Sequence, residues 1–190
     1  MNSENGKLII FSAPSGSGKT TIVKRMLQIF PQLEFSISAT SRDPRGNECN
    51  GVDYYFMTPE QFSKAVARDE FVEWEEVYKG TCYGTLKSEL TRIWSKGNII
   101  IFDVDVMGGL NLKRIFGEKA RSIFIMPPSV EELRKRLEGR GTDAPEVIEK
   151  RVAKAGFEIQ QAGGFDYCVI NDDLETAVAE TEQIIKSFIA

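Results

Sequence analysis

Ala13-Pro14-Ser15-Gly16-Ser17-Gly18-Lys19-Thr20 is the stretch on which the fold turns. The aliphatic run Leu8-Ile9-Ile10-Phe11 leads into it, and a helix-period segment, Thr21 to Phe30, leads out. Strand, small-residue loop, Lys-Thr, helix is the order of a phosphate-binding loop. Small residues let successive backbone N–H groups curl around phosphate oxygens. The helix behind them aims its positive end at the same point. Lys19 is then placed to reach the outer phosphates, and the Thr20 hydroxyl to ligate Mg²⁺. The usual pattern, G-x-x-x-x-G-K-[ST], has Ala13 in its first position here, while the G-S-G-K-T core is intact. The competing reading is a Gly/Ser turn before a surface helix, and the aliphatic run upstream argues against it. Alone, the loop says that a nucleoside triphosphate binds and leaves the chemistry open.

The rest of the composition narrows the class. A chain of 190 residues, 42% hydrophobic and 27% charged, is ordinary for one globular domain with a sizeable core. A net charge of −4 argues against a general nucleic-acid binder. Cys49, Cys82 and Cys168 are odd in number and widely spaced, which suits a reducing cytoplasm better than a disulfide framework. Histidine is absent, so a histidine general base and histidine-ligated metals are excluded. Met1 to Gly6 is polar, without the apolar core of a secretory signal, and no run reaches the length of a membrane span. A cytoplasmic protein with no nucleic-acid or membrane partner is expected.

Working outward from the loop, residues 7–11, 98–105, 120–126 and 165–170 read as strands, and the first three are continuous apolar runs. Helical segments separate them: 19–30, 107–116, 130–138, about 143–161, and a last one capped by Asp172 and Glu175. Apolar strands alternating with helices imply a parallel sheet covered on both faces, with the ligand outside the strands' carboxyl ends. Residues 33–85 differ. Leu33 to Thr40 alternates as one half-exposed strand, and Arg42 to Asp53 is rich in turn residues. Val52 to Met57 reads as a second strand, Thr58-Pro59-Glu60-Gln61 as a capping box, and Phe71 to Tyr78 as a third alternating strand. This is a small mixed-strand insertion, from which the helix 86–94 returns to the core.

Several constellations fall near the carboxyl edge of the sheet. Asp103 and Asp105 end an apolar strand, where alternation points them to opposite faces and only one toward a metal at the loop. The alternative is a strand end breaking into water. Arg42 and Arg45 flank Pro44, and arginine forks grip phosphate, although a solvated loop has the same composition. Tyr54, Tyr55, Tyr78 and Tyr83 share that lobe as phosphate donors or as packing residues. A carboxylate at Glu73 accepts from the N1–H and N2–H₂ edge of guanine, whereas adenine offers an acceptor at N1. Out of context, Glu73 is a solvated edge residue. Arg134, Arg136, Arg140 and Arg151 surround a Gly-rich break and suit a lid over transferring phosphate. Ion pairing of Glu131 with Lys135 and Glu132 with Arg136 is the plainer account of part of that set.

Together these residues resemble the guanylate kinase family over about Lys7 to Phe188. The ordered series is A-P-S-G-S-G-K-T, S-x-T-S-R-D-P-R, G-x-D-Y-x-F, E-F-V-E-W, Y-G-T, D-V-D-V-x-G, R-G-T-D and D-Y-x-x-x-N-D. The resemblance implies ATP and GMP as substrates with Mg²⁺, GDP and ADP as products, and a role in purine nucleotide metabolism and GMP recycling. dGMP is implied as a further acceptor. It implies a P-loop three-layer α/β/α fold: one domain, 1–190, with core 1–33, 97–126 and 165–190, a GMP-binding lobe 34–96 and a helical lid 127–164. Arg42, Arg45, Tyr54 and Tyr83 match the family's GMP-phosphate ligands. Ser38, Glu73, Thr85 and Asp105, with Asp103 beside them, match the acceptor site that reads guanine. Lys19, Arg42, Arg140 and Arg151 match the arms around the transferring group. Ala13 to Thr20 match the ATP loop, with Thr20 on Mg²⁺, and Asn171 matches a position near the ATP base. Met107 stands where D-[VI]-D-V-Q-G has glutamine. A monomer or small homo-oligomer is expected. The rivals are a non-catalytic interaction module of the same fold and a kinase for another nucleoside monophosphate.

Overall fold

The computed structural model describes residues 6–139, 141 and 144–190, with Tyr78 by its backbone alone. Five parallel strands form the first sheet, in the order β2 (Leu33–Phe35), β7 (Ile99–Asp103), β1 (Leu8–Ser12), β8 (Ala120–Met126), β9 (Tyr167–Ile170). β1 lies in the middle and is buried along its whole length, which is why its sequence is apolar without alternation. Ile9 and Phe11 point to one face and pack with Val23 and Met26 of α1 (Lys19–Ile29) and Ile185 of α7 (Leu174–Ile189). Leu8 and Ile10 point to the other, with Ile93 of α3 (Lys87–Trp94) and Leu112 of α4 (Val106–Phe116). Phe11, Phe102 and Phe124 are among the largest side chains fully buried, and each such burial contributes about 1.5–3 kcal/mol.

The second sheet is mixed, in the order β4 (Tyr55–Phe56), β3 (Ala39–Thr40), β6 (Thr81–Leu86), β5 (Phe71–Tyr78). β3 runs parallel to β4, and β6 runs antiparallel to both β3 and β5. α2 (Pro59–Ala67) covers it through Phe62 and Ala65, against Ala39, Phe71 and Leu86. Its start is the expected capping box: Gln61 N–H donates to the Thr58 hydroxyl, and Thr58 N–H donates to the Gln61 side chain. α5 (Val130–Gly139) and α6 (Pro145–Gln160) form a third unit around Leu133, Leu137, Ile148 and Ala155. Among the described residues no helix is long and apolar enough to cross a membrane.

Four local expectations are corrected. The single strand 33–40 is two strands in two sheets. Ser36 N–H still donates to Ile101 of the first sheet, Ile37 N–H donates to the Glu89 carboxylate, and Ala39 then pairs with Gly84 of the second. β6 was not expected, because Thr81 to Leu86 lacks alternation, yet it is the strand that joins β3 to β5. The strand over 98–105 stops at Asp103, since Asp105 accepts from Gly108 N–H and caps α4. The cap of α7 is Asp173, not Asp172: Thr176 N–H donates to its carboxylate at 2.9 Å.

Candidate active site

The loop between β1 and α1 curls at Gly16 and Gly18, with φ of 99° and 88°. Gly18 is the N-cap of α1. A Cβ there would lie 2.2 Å from the Asn171 Nδ2, so glycine is required by contact as well as by φ. Asn171 is buried beneath the loop and donates to the Ser17 carbonyl at 2.7 Å, while its own carbonyl accepts from Arg136. It braces the loop from below. Lys19 Nζ donates to the Val104 carbonyl at 3.1 Å and is ion-paired with Asp103.

A cavity of about 410 Å³ opens between this loop and the second sheet. Ala13 to Thr20 form one wall; Ser38, Tyr54, Glu73 and Tyr83 form the opposite one, and Asp103 and Asp105 form the floor between them. The expectation that the two aspartates face opposite ways is therefore corrected: the chain leaves the strand at Asp103, and both carboxylates line the cavity. Gly108 makes that approach possible. A Cβ on it would lie 2.9 Å from Asp105 Oδ1 and 3.3 Å from Glu73 Oε2. Among the described lining residues, six carboxylate side chains (Asp53, Glu73, Glu75, Asp103, Asp105 and Glu158) stand against two lysines, Lys19 and Lys154.

Glu73 accepts from the Thr85 hydroxyl at 2.8 Å. Burial, with the charges of Asp105 and Glu75, pushes its carboxyl up to about 7. Burial and the neighbouring Tyr83 push the Tyr54 phenol up, which keeps it a donor. Thr85 itself is fully buried behind Glu73 and does not line the cavity.

Arg42 also stands off the cavity. Its guanidinium donates to both carboxylate oxygens of Glu48, at 2.6 and 2.8 Å, and its Nε donates to the Tyr83 hydroxyl at 3.1 Å. It lies over the Tyr54 ring, 4.9 Å from the centroid. The paired arginine holds the Glu48 carboxyl down at about 2, and Glu48 in turn raises the guanidinium. Arg45 is exposed, and its backbone N–H donates to Glu48. From the third unit, Arg151 donates to the Ser15 hydroxyl at 2.9 Å. Arg140, expected as a lid arm, lies outside the described residues.

The residues present fit an oxygen-seeking divalent ion only in part. Among the described residues, no three histidine, cysteine, aspartate or glutamate side chains converge as metal ligands. Thr20 is exposed on the cavity wall at the start of α1. A Mg²⁺ there would take its other ligands from phosphate and water, as that ion commonly does.

Sequence reasoning brought together the loop, Ser38, Tyr54, Glu73, Tyr83, Asp103 and Asp105. It missed Glu48, Asp53, Glu75, Lys154 and Glu158. The signal for the last two was available: Arg151, Lys154 and Glu158 recur at helical spacing after Pro145. Glu48 had only its place after a turn.

A family model described as Guanylate kinase matches residues 5–188. A guanylate kinase of Bacteroides thetaiotaomicron is 58% identical over 184 residues, covering 97% of this chain and 90% of that protein. One of Porphyromonas gingivalis is 54% identical, covering 97% and 98%. The crystal structure of guanylate kinase from Anaplasma phagocytophilum superposes with a TM-score of 0.77 at 30% identity, covering 97% of this chain and 86% of that one.

Proposed function

The chain belongs to the guanylate kinase family, and on that premise we propose that it phosphorylates GMP with ATP, giving GDP and ADP. One observation carries the reading: a single cavity has the phosphate-binding loop on one wall and Glu73, Tyr54 and Tyr83 on the other. Two nucleotides held from opposite walls bring donor and acceptor phosphates together. Phosphoryl transfer asks the protein for little beyond such positioning and charge stabilisation, so a chain without histidine lacks nothing the chemistry needs.

The residues divide the work as follows. The backbone N–H groups of Ala13 to Thr20 hold the ATP phosphates, with Asn171 bracing the loop on the side of the ATP base. Lys19 leaves Asp103 for the outer phosphates. Arg42 leaves Glu48 for the GMP phosphate, joined by Arg45 and the phenols of Tyr54 and Tyr83. Glu73, ionised, accepts from guanine N1–H and N2–H₂, and Thr85 fixes its orientation, with Ser38 and Asp105 beside it. Arg151, and Arg140 by its place in the motif, bring cationic arms to the transferred group. Thr20 would hold Mg²⁺, which neutralises phosphate charge when bound. The acceptor set extends to dGMP, since none of these contacts needs the ribose 2′-hydroxyl. The reading places the enzyme in the cytoplasm, in purine nucleotide metabolism and GMP recycling, as a monomer or small homo-oligomer. The core, GMP lobe and lid divide as 1–33, 97–126 and 165–190; 34–96; and 127–164.

A coupled assay of ADP formation tests the reaction across GMP, dGMP, AMP, UMP and CMP. Turnover confined to GMP and dGMP is expected, and loss of it on chelation of Mg²⁺. Equal ATP turnover with and without GMP refutes the reading. Faster turnover with another base moves the chain to a different monophosphate.

A further inference from the structure

The side of α6 that looks into the cavity carries more than Arg151. Residues 151, 154 and 158 are three and four positions apart, so they stand on one stripe of the helix. Arg151 at one end meets the loop through Ser15. Lys154 and Glu158 at the other end both line the cavity. Glu158 is only 7% exposed, and its Oε1 lies 3.3 Å from the Lys154 Nζ. A lysine four residues before a glutamate on an open helix is a surface pair that contributes little. This pair is different, because the carboxylate is buried and faces the nucleotide cavity, where a charge persists only with a partner. Lys154, half-buried on the cavity wall, has its ammonium tied to that carboxylate.

We propose that Lys154 is a phosphate-binding residue of this site, a second lysine brought by α6 to the cavity lined by Lys19, and that Glu158 positions it. The proposal rests on the kinase reading above. The charge balance of the cavity supports it: six carboxylates against two lysines is a poor host for a triphosphate and a monophosphate. Lys19 already serves the loop end. Lys154 is the other lysine of the described lining, and its ammonium is a compact point charge suited to a single phosphate oxygen. No proton or electron pair moves through it; its part is to bind and orient phosphate.

The test uses Lys154→Met, Lys154→Arg, Glu158→Gln and the Met/Gln double variant in the full chain. We expect Lys154→Met to weaken kcat/KM for ATP about tenfold or more, with KM for GMP within about twofold of wild type. The thermal midpoint should be unchanged, and Lys154→Arg should recover most of the loss. Glu158→Gln should cost less, and the double variant should be no worse than Lys154→Met alone, as for a residue acting through another. ATP affinity by calorimetry should fall in parallel, a readout that stands even where the wild type fails to phosphorylate GMP. Wild-type ATP affinity in Lys154→Met overturns the proposal, as does a loss explained wholly by a lower thermal midpoint. Failure of the wild type to use GMP overturns the kinase reading and leaves the ATP measurement to decide this one.

Discussion

Glu73 has a carboxyl pushed up to about 7 from the usual 4.5, chiefly by burial. Between those values the folded chain keeps a proton that the unfolded chain releases. The contribution of this group to stability is therefore complete below about 4.5 and is lost as pH rises through about 7. Glu73→Gln removes that loss. The variant should be more stable than wild type at pH 8 by on the order of 3 kcal/mol, with the difference shrinking toward pH 5, as read by urea unfolding. The same substitution should lower kcat/KM for GMP by on the order of 10²-fold, because guanine meets a donor where it needs an acceptor. Protonation does part of this reversibly. In wild type, kcat/KM for GMP should fall as pH drops below about 7, more steeply than in Glu73→Gln, where only the nucleotide's own phosphate still titrates near about 6. Superimposable profiles contradict Glu73 as the guanine reader. The carboxylate was legible in sequence as a candidate. Its surroundings were not, since Asp105 and Gly108 reach it from the start of α4.

At the level of elements, the crossing from β2 to β3 decides how the two sheets join. Glu89 of α3 is 1% exposed and accepts from Ile37 N–H at 2.8 Å, the Tyr55 hydroxyl at 2.9 Å and two nitrogens of Arg92. Arg92 in turn pairs with Glu34 and donates to the Phe35 carbonyl. These bonds hold the Glu89 carboxyl below its usual range even though burial acts against them. Glu89→Ala should cost about 3–5 kcal/mol, because it leaves the Ile37 N–H and the Tyr55 hydroxyl without their acceptor and takes from Arg92 the more deeply buried of its two carboxylates. A loss of unfolding free energy in urea of less than a third of that would show the network to be ornamental. The central strands β1, β7 and β8 were readable because burial on both faces writes itself as an unbroken apolar run. β4 lay inside the expected strand Val52 to Met57, but β6 was not readable, nor was the change of sheet before β3, because both turn on a pairing between residues far apart in sequence, Ala39 with Gly84.

For the molecule as a whole, both sheets and the helical pair border the nucleotide cavity. If the GMP lobe and lid close over the two nucleotides, saturating ATP analogue with GMP should shrink the radius of gyration in solution scattering, and each nucleotide alone should do less. No change with both ligands would mean that the cavity is already in its working shape and that water is excluded without closure.

The two cations proposed to take phosphate, Lys19 and Arg42, already hold Asp103 and Glu48. The site that the chain builds by itself is thus an ion exchanger loaded with its own carboxylates. Nucleotide affinity is then a difference between two anions at each cation, not the full attraction of a bare charge. Such an exchanger discriminates by how well an anion replaces a tethered carboxylate. On the proposed reading, a dianionic phosphate that also engages Tyr83 should displace Glu48, and chloride and simple carboxylic acids, however abundant, should not.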